Sequence, residues 1–191
     1  MSSPKREYRL GQAFEGVLDA AKQGAEWAWA SLYRDLAGPV TGYLAARGAR
    51  EPEDLAAETF LQVARNVHSF EGDEAAFRSW VFVIAHRRLI DLRRSQARRP
   101  TTVSMPDDGP GVLGGDVEHE AIGHLVTAEL RDAFRRLTDD QRDVLSLRII
   151  ANLTLEETAN VVGKRVGAVK AIQRRALIAL RNHVDLEGVS R

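Results

Sequence analysis

The chain has 191 residues, 44% of them hydrophobic and 28% charged, which suits one or two globular domains with modest cores. It contains no cysteine, so disulfides and thiolate metal sites are excluded, and its best apolar run, Trp80 to Ala85, falls far short of the ~18 residues a membrane span needs. Twenty-seven basic residues balance twenty-seven acidic ones, so net charge alone argues against a nucleic-acid binder. The first ten residues lack the apolar core of a signal peptide, and the cytoplasm is the expected compartment.

The helical period begins near Gln12. Leu32, Leu36, Val40, Tyr43 and Leu44 recur at spacings of three and four, one buried stripe interrupted by Pro39 and ended by Gly48 as a C-cap. Pro39 is expected to kink that helix or cost it a hydrogen bond. Glu51-Pro52-Glu53-Asp54 opens the next helix, with proline in the first turn and acids at the positive end of the dipole. Its apolar positions are Leu55, Phe60, Leu61, Val63, Ala64 and Val67, up to a break at Ser69 to Asp73. A third helix is predicted from about Glu74 to Gln96. Its middle is apolar on nearly every side and belongs at the heart of a domain, with Trp80 in the core.

Between Pro100 and Asp116 stand three prolines and four glycines, a linker with no means of burying a core. Helices are predicted beyond it at about 118–136, 139–150, 154–162 and 166–182. The expected fold is all-α, two small helical domains at 12–98 and 117–185 joined by a flexible linker at 99–116.

Charge is unevenly spread along this plan. From Arg78 to Arg99, seven arginines stand against Asp91 alone; from Pro100 to Leu130 there are six acids and no Lys or Arg; from Thr158 to Val184, Lys164, Arg165, Lys170, Arg174, Arg175 and Arg181 occur without an acid. Two basic blocks around an acidic one suggest two polyanion contacts, though solvated helix faces would give the same pattern.

The segment from Thr154 to Lys170 is the most informative. Thr154 is a good N-cap, Glu157 completes a capping box, Ala159 allows close helix approach and Gly163 supplies a turn. The following helix puts Val169, Ile172, Ala176 and Leu180 on one stripe and Lys170, Arg174 and Arg181 opposite, with Arg175 flanking. This is a helix-turn-helix presenting cations outward, as insertion into a major groove requires, or else a helical hairpin with a charged surface. Lys164, Arg165, Lys170, Gln173, Arg174 and Arg175 are the candidate DNA contacts; sequence does not say which reads a base.

The stretch Leu137 to Arg148 through Leu180-Arg181 resembles region four of the extracytoplasmic-function (ECF) group of bacterial RNA polymerase sigma factors. A similar helix-turn-helix occurs in response regulators of the LuxR type. The N-terminal half adds a second resemblance. Asp54-Leu55-Ala56-Ala57-Glu58-Thr59-Phe60-Leu61 is similar to the region-two helix that docks on the clamp helices of the polymerase, and Phe77 to Arg94 to the helix that engages the minus-ten element. Arg87 stands where family members commonly carry asparagine.

The resemblance implies a sigma factor that binds core RNA polymerase through its beta-prime clamp helices and beta subunit, recognises promoter DNA and promotes strand opening. It places polymerase contacts at Asp54, Leu55, Glu58 and Phe60. Minus-ten contacts fall at Phe70, Glu71, Gly72, Asp73, Arg87, Arg88, Arg93 and Arg94, and minus-thirty-five contacts on the helix-turn-helix. Leu55 and Phe60 serve equally well as core residues, and Phe70 as a hydrophobic loop anchor. An anti-sigma factor is a further possible partner. The acidic linker either threads the polymerase or is a plain tether. A regulator that uses only its C-terminal module remains the alternative. An enzyme is disfavoured: no Gly-rich phosphate loop occurs, the five histidines show no metal-ligand spacing, and no cofactor, metal or catalytic residue is expected.

Overall fold

A computed structural model describes residues 10–98 and 128–188. The expected linker at 99–116 and the expected helical segment 118–127 lie outside them. Among the described residues every regular element is helical, in agreement with the all-α expectation.

After a single 3-10 turn at Gly11–Ala13, α1 (Phe14–Lys22) buries Phe14, Val17, Leu18 and Ala21, one face at spacings of three and four. Helix α2 (Glu26–Ala46) carries the predicted stripe, with Leu32, Leu36, Val40, Tyr43 and Leu44 all buried. It runs without interruption through Pro39, whose missing N–H leaves one rung unmade. Gly48 follows at φ +79°, the left-handed conformation that ends the helix. Helix α3 (Pro52–Asn66) starts on its proline, with Glu53 and Asp54 in the first turn, and leads through a 3-10 turn at Val67–Ser69 to α4 (Glu74–Arg98).

Helix α4 is the axis of the molecule. Phe77, Val81, Phe82, Ile84, Ala85 and Leu89 are buried on it, and Phe82 meets Tyr43 edge-on at 5.8 Å. Trp80, expected in the core, is only half-buried: its ring lies against Phe70 and Phe77 while the rest of it borders a cleft.

The second domain begins in the described residues with α5 (Ala128–Arg135), followed by α6 (Asp139–Ile149), α7 (Leu155–Val162) and α8 (Val166–Gly188). Both α6 and α7 start with full capping boxes, Thr138 with Gln141 and Thr154 with Glu157, so the orphan amides of each first turn are satisfied reciprocally. Gly163, at φ +65°, makes the turn into α8. Val144, Ala159, Val169 and Ile172 form the small core of the helix-turn-helix, and Leu137, Leu145 and Ala176 hold α5 and α6 to α8.

The two domains are packed together. Leu147, Ala151, Leu153 and Val161 belong to the same apolar cluster as Val40, Phe82 and Ala85 of the first domain. Helix α7 lies along α4 and α6 touches α2. This explains why α4 is apolar on nearly every side: α2 and α3 cover one flank and α7 covers another.

Two substitutions separate core from cap. Phe82→Ala, at a site with no exposure, is expected to cost about 3–5 kcal/mol in urea unfolding. Thr154→Ala, which removes only a cap, should cost about 1 kcal/mol.

Candidate nucleic-acid interface

Two adjacent lines of side chains run down α4. Ser79, His86 and Arg93 are spaced seven residues apart, as are Trp80, Arg87 and Arg94 beside them. The first line is the seam with the second domain. Ser79 Oγ accepts a hydrogen bond from Asn160 Nδ2 of α7 at 3.2 Å. His86 Nδ1 pairs with the Tyr43 hydroxyl at 2.8 Å and lies 3.8 Å from Asp143 of α6. Arg93 Nη1 lies 3.5 Å from Asp139 Oδ1, and its Nη2 donates to the Arg47 carbonyl oxygen. The second line borders a cleft of about 450 Å³, where Trp80, Val83 and Arg87 face Glu157 and Asn160 of α7.

The seam is polar, with Arg47 and Asp143 buried at its centre and Asp139 at its exposed edge. The Arg47 side chain is wholly buried, with Nε donating to Asp143 Oδ1 at 2.5 Å and Nη2 to Asp139 Oδ1 at 3.2 Å. The Tyr43 hydroxyl donates to Asp143 at 3.2 Å. Burial lowers the Arg47 pKa, but Asp143 more than offsets this and the group is held firmly charged. Burial, reinforced by Asp143, raises Tyr43 well above the usual phenol range. Burial lowers His86 below its ordinary value, against the pull of Asp143 and with help from Arg47 and Arg93. The hydrogen bond from Arg47 lowers Asp139, and burial together with Arg47 lowers Arg93. Arg78, half a helix away, pairs with Asp35 at 2.8 Å and reaches the Ala151 carbonyl at 3.4 Å.

The structure distributes the sequence-predicted residues unevenly. Arg87 and Arg94 are exposed, Arg94 with Asp91 at 3.7 Å. Arg88 turns towards α3, bonding Glu58 at 2.8 Å and Gln62 at 3.0 Å, and Arg93 is drawn into the seam. In the loop before α4, Phe70 is buried against Phe77 and Trp80 at 5.2 and 5.1 Å, the hydrophobic-anchor alternative. Gly72 at φ +146° would bring a Cβ to 2.9 Å from Ala76, so glycine is required there for the turn itself. Asp73 caps α4 by accepting from the Ala76 amide at 2.8 Å, and Glu71 is exposed.

On α3, Asp54 and Glu58 are exposed and border a groove of about 470 Å³ with Arg50, Glu51 and Leu92. Leu55 is buried, and Phe60 is half-buried with its ring on Tyr33 at 4.8 Å. In the helix-turn-helix, Arg165, Lys170, Arg174 and Arg175 are exposed. Lys164 instead pairs with Asp140 at 3.0 Å and so secures the turn to α6, while Gln173 accepts from Arg148 Nε at 3.3 Å. Sequence reasoning missed Tyr43, Arg47, His86, Asp139 and Asp143. An Arg-Gly pair at a helix end and two acids one turn apart at the start of a capped helix resemble ordinary surface features, and only their meeting across 92 and 96 positions makes them a site.

Residues 29–99 match Sigma-70 region 2 and residues 133–182 match Sigma-70, region 4. The chain is 33% identical to the ECF RNA polymerase sigma factor BldN of Streptomyces coelicolor over 168 residues, 86% of this chain but only 63% of that relative's length. It is 30% identical to the ECF RNA polymerase sigma factor RpoE of Cereibacter sphaeroides over 165 residues, 84% of this chain and 88% of that one. Among solved structures, CnrH in complex with the cytosolic domain of CnrY superposes with a TM-score of 0.66 at 21% identity, over 92% of this chain and 99% of that one, a likeness of fold. With both regions in order along the chain and a relative matched over most of its length, this protein belongs to the ECF RNA polymerase sigma factors.

Proposed function

We propose that the chain binds core RNA polymerase, recognises promoter DNA with its two helical domains and promotes strand opening, and that the packed arrangement is its resting form. It works in the cytoplasm and without catalytic chemistry of its own. The observation that carries the resting-form reading is the position of α7. It lies on the face of α4 that holds Trp80 and Arg87, and its own Glu157 stands in the cleft where a nucleic-acid strand would run. Arg165, Lys170, Arg174 and Arg175 are exposed, so the helix-turn-helix can meet duplex DNA while α7 still borders the Trp80 and Arg87 cleft. Parting α7 from α4 opens the cleft beside Trp80 and Arg87 and leaves the arginine-rich helix to make phosphate contacts that render binding steeply salt-dependent.

CnrH, whose fold is shared, was solved with the cytosolic domain of CnrY. The sigma factor RpoE of Bartonella quintana, also similar in fold, was solved with the anti-sigma factor NepR, and an anti-sigma factor for this chain would act by keeping the domains from parting. On the polymerase side, Asp54 and Glu58 form an exposed acidic rim suited to a basic coiled coil, with the Tyr33 and Phe60 rings alongside as the apolar part.

Run-off transcription with core polymerase tests the reading. The chain should support promoter-dependent transcript formation on its own, whereas a plain regulator would give none without another sigma factor. The Asp54→Lys, Glu58→Lys double variant should co-purify with core polymerase at least tenfold less efficiently; undiminished co-purification would remove the acidic rim from the interface.

Closing of the domains should also depend on pH. In the closed chain burial holds the His86 pKa below its ordinary value, and opening returns it to about 6.5. The contribution of neutral His86 to closing is therefore complete above about pH 6.5 and is lost as pH falls from there towards the lowered value. Of the groups facing it, Asp143 alone favours the protonated ring, Arg47 and Arg93 oppose it, and Tyr43 stays a neutral phenol. Asp139, flanked by Arg142 at 3.0 Å, titrates below its own ordinary 3.8, outside this window. Dyes on Ala30→Cys and Ala171→Cys, in a chain with no native cysteine, should lose energy transfer as pH drops from 7.5 to 5.5, and His86→Gln should flatten that response.

A further inference from the structure

Arg47 has an environment that its own domain does not account for. Among the described residues no carboxylate of α1 to α4 pairs with Arg47 or with Arg93; their anionic partners, Asp139 and Asp143, both come from α6. Even with those two acids in place, Arg47 Nη1 is buried and finds no hydrogen-bond partner. A guanidinium has five donors in a planar fork, and the two carboxylates of α6 leave that fork partly unfilled.

With α6 moved away, the first domain would present a hollow lined by the Arg47 and Arg93 guanidiniums, the Tyr43 hydroxyl and the His86 ring. These groups already converge on one spot: Arg47 Nη2 and Arg93 Nη1 lie 3.2 and 3.5 Å from the same Asp139 oxygen, and Tyr43 Oη and Arg47 Nε lie 3.2 and 2.5 Å from the same Asp143 oxygen. Two forks and a hydroxyl directed at neighbouring anionic oxygens form the donor set that binds a phosphate diester. The hollow also continues the line Ser79, His86, Arg93 on α4, next to the exposed Arg87 and Arg94.

We propose that Arg47 and Arg93, with the Tyr43 hydroxyl, form a binding site for a backbone phosphate of promoter DNA, and that Asp139 and Asp143 occupy this site in the closed chain as carboxylate stand-ins. The inference rests on the sigma-factor reading and extends it to a residue outside the arginine-rich helix. Closing and DNA binding then compete for the same donors. The two acids keep the site filled when polymerase is absent, and the diester replaces them when it is present.

The test uses full-length chain assembled with saturating core polymerase, so that closing no longer contributes, on a promoter fragment and on unrelated duplex. Arg47→Gln should lower affinity severalfold on both DNAs and reduce the slope of log affinity against log salt by about one. Arg47→Lys, which keeps the charge, should retain the slope. The Asp139→Asn, Asp143→Asn variant should leave holoenzyme affinity for DNA unchanged while binding core more tightly than the parent. If Arg47 only ties the domains together, Arg47→Gln will behave like the double Asn variant, with tighter core binding and an unaltered salt slope, and the phosphate site is overturned. Promoter-dependent transcripts in that case leave the sigma-factor reading standing. Absence of transcripts from parent and variants alike removes that reading, and the phosphate site with it.

Discussion

The buried contact between Arg47 and Asp143 decides what the molecule is. A guanidinium with no exposed side-chain surface is tolerable only beside a fixed anion, and the anion here belongs to the other domain. Removing one member of such a pair leaves an uncompensated buried charge, a penalty of about 3–5 kcal/mol when nothing can relax. Here something can relax, because parting the domains returns both groups to water. The pair therefore acts less as a general stabiliser than as a condition on the arrangement: it is made only while the domains are packed, beside Tyr43, His86 and Arg93. An apolar patch of Leu147, Ala151, Leu153 and Val161 backs the polar seam and supplies the non-directional part of the adhesion.

Helix α4 carries both sides of this balance. Its apolar positions, Phe77, Val81, Phe82, Ala85 and Leu89, are committed to the core. Its polar positions divide: Arg78 and Arg88 bond Asp35 and Glu58 of their own domain, and others look towards the second domain. Ser79 and Arg93 meet α7 and α6, while Trp80 and Arg87 border a cleft between the domains. A rigid helix with an adjustable face can serve two ligands in turn, since exchanging one for the other costs contacts but no refolding. Charge makes the exchange plausible, because Asp139, Asp143 and Glu157 bring to the face the same sign that a nucleic-acid backbone would bring.

Both domains divide their polar side chains between internal contacts and solvent. Lys164 and Gln173 are spent on internal contacts, to Asp140 and from Arg148, and these hold α8 at a fixed angle to α6. Lys170, Arg174 and Arg175 of α8, with Arg165 just before it, are exposed to solvent. In the first domain Arg88 and Arg93 are engaged and Phe70 is packed away, while Arg87 and Arg94 stay exposed. Of these contacts only that of Arg93 with Asp139 spans the two domains, so it alone depends on how they pack.

By itself the sequence determined the local elements and the family. Periodic apolar stripes, the Pro52 start, the Thr154 capping box and the Gly163 turn are short-range features whose energetics involve neighbours in the chain, and all of them appear as expected. The cation-bearing face of α8 was legible for the same reason, since helix periodicity alone sets it. What tertiary structure decided was which charged side chains are available. Arg88, Arg93, Lys164 and Gln173 look as free as Arg87 and Lys170 in the sequence, and differ only because an acid or a polar partner arrives from 24 to 46 positions away. The seam is more remote still, joining residues 92 to 100 positions apart through a pairing that depends on how two domains dock, and no local pattern encodes that.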